Sequence, residues 1–305
     1  MNAFVIVMNY IQIQTQKWLR IAFLNLLIVA LLGGLMRYKI AYSLPFIDQR
    51  NFMNAHSHFA FAGWISQALM VLMVNYLANQ SGEKVFNKYR WIFTANLLTA
   101  YGMLLSFPWQ GYNSISIIFS TLSIFVSYAF AFRFWKDISK LKFKSITHYW
   151  FSAALIFSVI SSAGPFFLAY MMANNWSHPN LFLLALYYFL HFQYNGWFFF
   201  ACAGLFSIHF ATAGISLRIQ KLVFWLFAIA ERNAKPTSGR PIARMTHAFY
   251  PAHLPRREDY DRVHGEIGAL EAPGWPHEGD KRSLKEYEDD LWARLEGMVK
   301  KLKDS

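Results

Sequence analysis

SITHYWFSAALIFSVISSAGPFFLAYMMANNWSHPNLFLLALYYFLHFQYNGWFFFACAGLFSIHFATAGISL, residues 145–217, contains no Asp, Glu, Lys or Arg. About 20 apolar residues suffice for one helical crossing of a bilayer, so the stretch holds two, divided at the polar turn Asn174-Asn175-Trp176-Ser177-His178-Pro179-Asn180. Asn51 to Gly82 and Trp91 to Phe132 are also free of charge, and the second is divided at Pro108-Trp109-Gln110-Gly111-Tyr112-Asn113. With 55% hydrophobic and 19% aromatic residues, the 305-residue chain is too apolar over most of its length to be a water-soluble domain. The reading is all-α: a polytopic transmembrane helix bundle of about six helices, near 19–37, 57–78, 90–107, 113–135, 148–173 and 181–211, plus a partial seventh. In the first, only Ile21 to Met36 is uncharged, so Arg20 and Arg37 would snorkel to the interfaces. Lys17 and Arg20 come too late for the basic start of a signal peptide, and this helix is expected to remain as an anchor.

The formal charge of +12 is a topology signal and calls for no nucleic acid. Lys17, Arg20, Lys84, Lys88, Arg90, Arg133, Lys136, Lys140, Lys142, Lys144, Arg218 and Lys221 fall on one side of the expected bundle. Only Arg37, Lys39 and Arg50 fall on the other, so the positive-inside rule predicts a cytoplasmic amino terminus. Cys202 is the single cysteine, which excludes an intrachain disulfide.

After Lys221 a new apolar run, LVFWLFAIA at 222–230, stops after nine residues, too few to span. Residues 231–305 carry 14 acidic and 14 basic residues, against 3 and 15 in residues 1–230. The chain therefore divides into a bundle, 1–230, and a soluble tail, 231–305. The first half of the tail, rich in Pro, Gly, Arg and His, is expected to hold little regular structure. Leu284, Tyr287, Leu291, Leu295, Met298 and Leu302 mark an amphipathic helix at 283–302, started by the capping-box pair Ser283 and Glu286. So abrupt a change of residue usage reads as a fusion, a frameshift or an assembly join that truncates a longer membrane protein within its seventh helix.

Histidines inside the charge-free stretches point to function, because lipid cannot solvate an imidazole. His56 and His58 lie two residues apart, about 200° around an ideal helix, so one metal cannot take both unless the helix starts between them. His56 shares its face with Ala60, Gly63 and Gln67, small groups that would admit a flat ring, and is the favoured ligand. His191 lies about 15 Å into its helix, with Asn195 one turn on and Gly196 permitting close approach. The alternatives are interfacial hydration of His56 and His58, and a plain hydrogen bond from His191 to Asn195 or another helix. His148 and His178 are expected to be solvated beside loops, and His209 to be interfacial. Trp18, Trp91, Trp109, Trp135, Trp150 and Trp176 are expected in interface belts.

Arg50 followed by His56-Ser57-His58, with Gly63-Trp64 about two turns on, resembles the haem-ligating second helix of haem-copper oxidase subunit I. The nearest branch is that of C-type cytochrome oxidases and nitric oxide reductases, whose pattern is His-Thr-Asn after a basic residue. The resemblance covers roughly residues 15–230. It implies that His56 is the low-spin haem ligand, that His58 stands where the family has Asn, and that His191 is the copper histidine. Gly63, Trp64 and Asn195 would line the cofactors. It further implies electron transfer to oxygen or nitric oxide in the inner membrane of a bacterium, with a cytochrome c-type donor and other oxidase subunits as partners. The family's remaining copper and haem ligands come from a seventh and a tenth helix, which have no counterpart here, so the chain alone is expected to be catalytically incompetent. Two other classes stay open: a non-enzymatic membrane haem or copper protein, and a small-molecule transporter using these histidines as proton relays. Helices two to six contain no acidic residue and the chain shows no internal repeat, which weighs against the transporter.

Overall fold

The computed structural model of the chain describes residues 3–42, 44–81, 85–141, 145–176, 178–212 and 216–233. Seven helices and no strand occur among these described residues. They are α1 (Ala3–Ala41), α2 (Gln49–Ser81), α3 (Phe86–Gln110), α4 (Ser114–Ile138), α5 (Ile146–Ala173), α6 (179–212) and α7 (Leu217–Asn233). Val5–Ile40, Gln49–Ser81, Ser114–Ile138 and Ile146–Ala173 are each long and apolar enough to cross a membrane. The all-α bundle is thus as expected, and a lipid bilayer is the environment that its apolar helices suit. The expected tail with its amphipathic helix lies outside the described residues.

Several boundaries differ from the sequence reading, each for a local reason. α1 continues back to Ala3 instead of starting near residue 19. α2 starts at Gln49, where the Asp48 carboxylate accepts from Asn51 N–H at 2.7 Å, so both His56 and His58 lie well inside the helix. α3 runs through Pro108 and ends only at Gly111, whose φ of 61° and position against Asn51 exclude a side chain: a Cβ there would sit 2.6 Å from Asn51 Oδ1. α5 is interrupted at Ser162 because Pro165 lacks an N–H for the Ser161 carbonyl one turn back. α7 is a 17-residue helix, longer than its apolar run.

Among the described residues, those of 3–166 and 187–233 pack as one unit, and 167–186 belong to another. In the second, Asn175 adopts a left-handed φ of 53°, and the Trp176 N–H donates to the Met171 carbonyl at 2.8 Å to close the turn. In the first, α2 is the most buried of the spanning helices. Its carboxy-terminal half joins Tyr89 and Phe93 of α3, Phe130 and Phe134 of α4, Phe151 of α5 and Phe200 of α6 in one core. A second cluster, Val29, Ala55, Phe59, Ala62, Ala100, Met103 and Phe107, joins α1, α2 and α3.

Three expectations about solvated or interfacial residues are corrected by this core. Trp18 packs edge-on against Phe93 at 5.1 Å and Trp150 against Phe224 at 5.0 Å, both buried, whereas Trp91, Trp109, Trp135 and Trp176 are exposed. His148 is buried as well: its Nδ1 accepts from the Ser145 N–H at 3.0 Å as the third residue of α5, so it caps its own helix.

Candidate functional site

Both helices that carry the singled-out histidines leave the α-helical pattern immediately after them. α2 is π-helical over Ala60–Ser66, and α6 over Phe192–Phe198. A π turn closes its hydrogen bonds from i to i+5, widens the helix and occurs frequently at functional sites. Widening disturbs the regular ladder of backbone hydrogen bonds, and two carbonyls of the α2 segment are taken up by side chains from neighbouring helices. The Asn25 amide of α1 donates to the Gly63 carbonyl at 2.6 Å, and the Asn96 amide of α3 to the Ala62 carbonyl at 2.8 Å. Asn25 in turn accepts from the Tyr101 hydroxyl at 2.6 Å, and Asn96 donates to Gln67 Oε1 at 2.9 Å. Asn25, Gln67 and Asn96 are buried, as such donors must be when no water competes for them.

The two π segments also meet each other. Trp197 Nε1 donates to Ser66 Oγ at 3.2 Å, and Phe61 sets its ring against Tyr194 at 5.1 Å and Phe198 at 5.6 Å. Gly196 lets α6 approach α5, since a Cβ there would come within 2.5 Å of Phe157.

His56 and His58 face different neighbours. The His56 ring lies on α1, where a Cβ at Gly33 would be 3.3 Å from its Cε1 and 3.8 Å from its Nδ1. Its Nδ1 is buried and has no hydrogen-bond partner. His58 instead stacks on Phe107 at 4.6 Å and shares a 2.7 Å hydrogen bond between Nε2 and the Tyr112 hydroxyl. Gly63 packs beneath the fully buried Phe59, and Trp64 is half-buried beside the cluster of Val29, Ala55 and Phe59. His191 closes the α-helical part of α6, and its Nδ1 lies 3.2 Å from Asn195 Nδ2. That contact is the hydrogen bond that the spacing allowed. Among the described residues no group of three or more His, Cys, Asp or Glu side chains gathers to hold a metal.

Asn25, Asn96, Tyr101, Ser66 and Trp197 were not singled out from the sequence. Asn25 carried a signal, as the sole amide or charged residue between Ile21 and Met36. A polar side chain in mid-span marks a partner elsewhere in the bundle. No family model, curated protein or solved structure matches the chain.

Tyr112 occupies the turn between α3 and α4, outside the spanning segments. Half of its side chain is exposed, yet the hydroxyl is turned onto His58, and this burial pushes its pKa up to about 12 against the opposing pull of the Arg50 cation. A phenol that binds its proton more tightly when folded favours the fold fully below its unfolded pKa of about 10. That contribution falls as pH rises from about 10 to about 12. Tyrosinate absorbance of wild type minus Tyr112→Phe should therefore titrate near pH 12; a difference that titrates near 10 would place the hydroxyl in solvent.

Proposed function

We propose that the chain is an integral membrane haem- and copper-binding protein of the haem-copper oxidase type, with His56 as haem ligand and His191 as one copper ligand. His56 carries the reading: a buried imidazole nitrogen without a hydrogen-bond partner, set against a glycine that leaves the ring room, is a side chain that could hold a haem. Orphaned polar atoms in a spanning helix are costly, and a metal is one way to satisfy them. Bound haem would supply one-electron chemistry, and the protein's part is to orient the ligand and set the surrounding dielectric. The π turn after His56, held by Asn25 and Asn96, fixes the helix face on which His56 stands. At His191, a half-turn of the Asn195 amide would put Oδ1 on an Nδ1 proton and leave Nε2 unprotonated, the neutral form in which imidazole holds copper.

The chain supplies one ligand to each group, so its part in reducing oxygen or nitric oxide requires ligands from elsewhere. In this reading the protein lies in a bacterial inner membrane with its amino terminus in the cytoplasm, as its 12 basic residues on one side against three on the other favour. A cytochrome c-type donor and further oxidase subunits would be its partners.

The test is a reduced-minus-oxidised optical spectrum of the purified protein and of His56→Ala and His191→Ala, each first shown to be folded by circular dichroism and size exclusion. The expected result is a haem band in wild type, lost in His56→Ala and kept in His191→Ala, with bound copper reduced in the latter. A wild type without a haem band, or a band indifferent to His56→Ala, overturns the proposal.

A further inference from the structure

The carboxy-terminal end of α4 carries a basic flank. Arg133, Lys136 and Lys140, the last on the turn that follows the helix, recur at steps of three and four. Both lysines are exposed, and the Arg133 side chain is 44% exposed. Further along α4 the same face is apolar and outward: exposed Leu122, Phe125 and Phe132 lie within about 100° of Arg133 and Lys136 around the helix. Arg133 is held in place from within. Its buried Nε lies 3.3 Å from Asp137 Oδ2, and the same oxygen accepts from the Tyr89 hydroxyl of α3 at 3.0 Å. A carboxylate fixed between two helices thus grips the guanidinium by one edge, and the two terminal nitrogens of the fork are left to take a pair of anionic oxygens. Asp137 is the only acidic residue from Ser114 to Lys140, so Arg133, Lys136 and Lys140 leave this flank with a surplus of two positive charges.

We propose that this flank binds an anionic phospholipid, with the phosphodiester headgroup on Arg133, Lys136 and Lys140 and an acyl chain along Phe132, Phe125 and Leu122. Charge complementarity selects the anion, and the apolar stretch in line with the cations selects one that carries a hydrocarbon chain. A free phosphate ester would gain the first contact and forgo the second. The positive-inside bias sorts basic residues to one side of a membrane, but it does not require any of them to be oriented by a carboxylate that a second helix holds. The clamp of Tyr89 and Asp137 on Arg133 is what makes this flank a site. The inference uses the bilayer alone and needs no metal at His56 or His191.

Native mass spectrometry of the purified full chain in non-ionic detergent, titrated with phosphatidylglycerol or with phosphatidylcholine of the same acyl chains, tests it. Phosphatidylglycerol should bind the more tightly. Lys136→Gln and Lys140→Gln, at exposed positions where the fold is not at stake, should each weaken it about fivefold, the effect of one cation near a lipid headgroup, and leave phosphatidylcholine unchanged. Arg218→Gln, which removes an exposed cation from α7, should change neither. Asp137→Asn should weaken phosphatidylglycerol although it adds net positive charge, because the guanidinium loses its holder. Glycerol phosphate should not displace the lipid. Equal affinity for the two lipids, an equal loss in Arg218→Gln, tighter binding by Asp137→Asn, or displacement by glycerol phosphate overturns the proposal. The haem spectrum of His56→Ala does not depend on any of these results.

Discussion

Replacing Trp197 by Ala should cost about 3 kcal/mol of stability, the lower part of the range for deleting a large buried aromatic side chain. The ring is 2% exposed, and its Nε1 donates to Ser66 Oγ at 3.2 Å, joining the π segment of α6 to that of α2. Lipid tails are as apolar as the ring, so the loss comes from forfeited packing contacts and an orphaned hydroxyl more than from exclusion of water. Trp197→Phe keeps most of the packing and removes the donor alone, and should cost about 1 kcal/mol. Reversible unfolding in mixed micelles of increasing denaturing-detergent fraction measures both. Equal losses in the two variants would show that the hydrogen bond, and not the ring, holds the junction; no loss in either would show that α2 and α6 are joined elsewhere.

Asn25→Leu is the second large effect expected. The Asn25 side chain is fully buried and makes two bonds of 2.6 Å, giving to the Gly63 carbonyl and accepting from the Tyr101 hydroxyl. Leucine keeps the branched outline but is larger, and its methyl groups cannot sit 2.6 Å from an oxygen, so crowding adds to the polar loss. Leaving the Gly63 carbonyl and the part-buried Tyr101 hydroxyl without these partners should cost about 2–4 kcal/mol together. Tyr101→Phe removes only one of the bonds and should cost about 1 kcal/mol. The double variant should then cost less than the sum, by the energy of the bond that both singles remove. The same micelle titration reads this cycle. Strict additivity would mean that Asn25 and Tyr101 do not act as a pair. A rise in amide exchange confined to Ala60–Ser66 in Asn25→Leu would locate the damage in the π turn.

Much of the bundle was legible in residue order. Long charge-free stretches set where helices run, because each spanning segment must satisfy its backbone internally and expose apolar side chains to lipid. The breaks were less legible. Pro108 leaves α3 intact to Gln110, whereas Pro165 interrupts α5. Both prolines remove a backbone donor, and only packing around each decides whether the helix continues. Trp18 and Trp150 were expected at the interfaces but lie in the core, Trp18 because α1 begins as far back as Ala3, and Trp150, near the start of α5, because Phe224 and Phe227 of α7 cover it.

The same division holds at the candidate site. The sequence by itself determined that the chain is a helical protein suited to a membrane, that His56, His58 and His191 lie in its apolar helices, and that His56 and His58 point apart. Those properties depend on composition and on the helical repeat, which neighbouring residues fix. Only the tertiary structure decided that His56 turns to Gly33 while His58 turns to Tyr112, and that both helices widen into π turns just past their histidines. The bonds that hold the wider turns come from residues 34, 38 and 131 positions away. An i to i+5 turn is stable where distant donors take the carbonyls it disturbs, and no local pattern announces such donors.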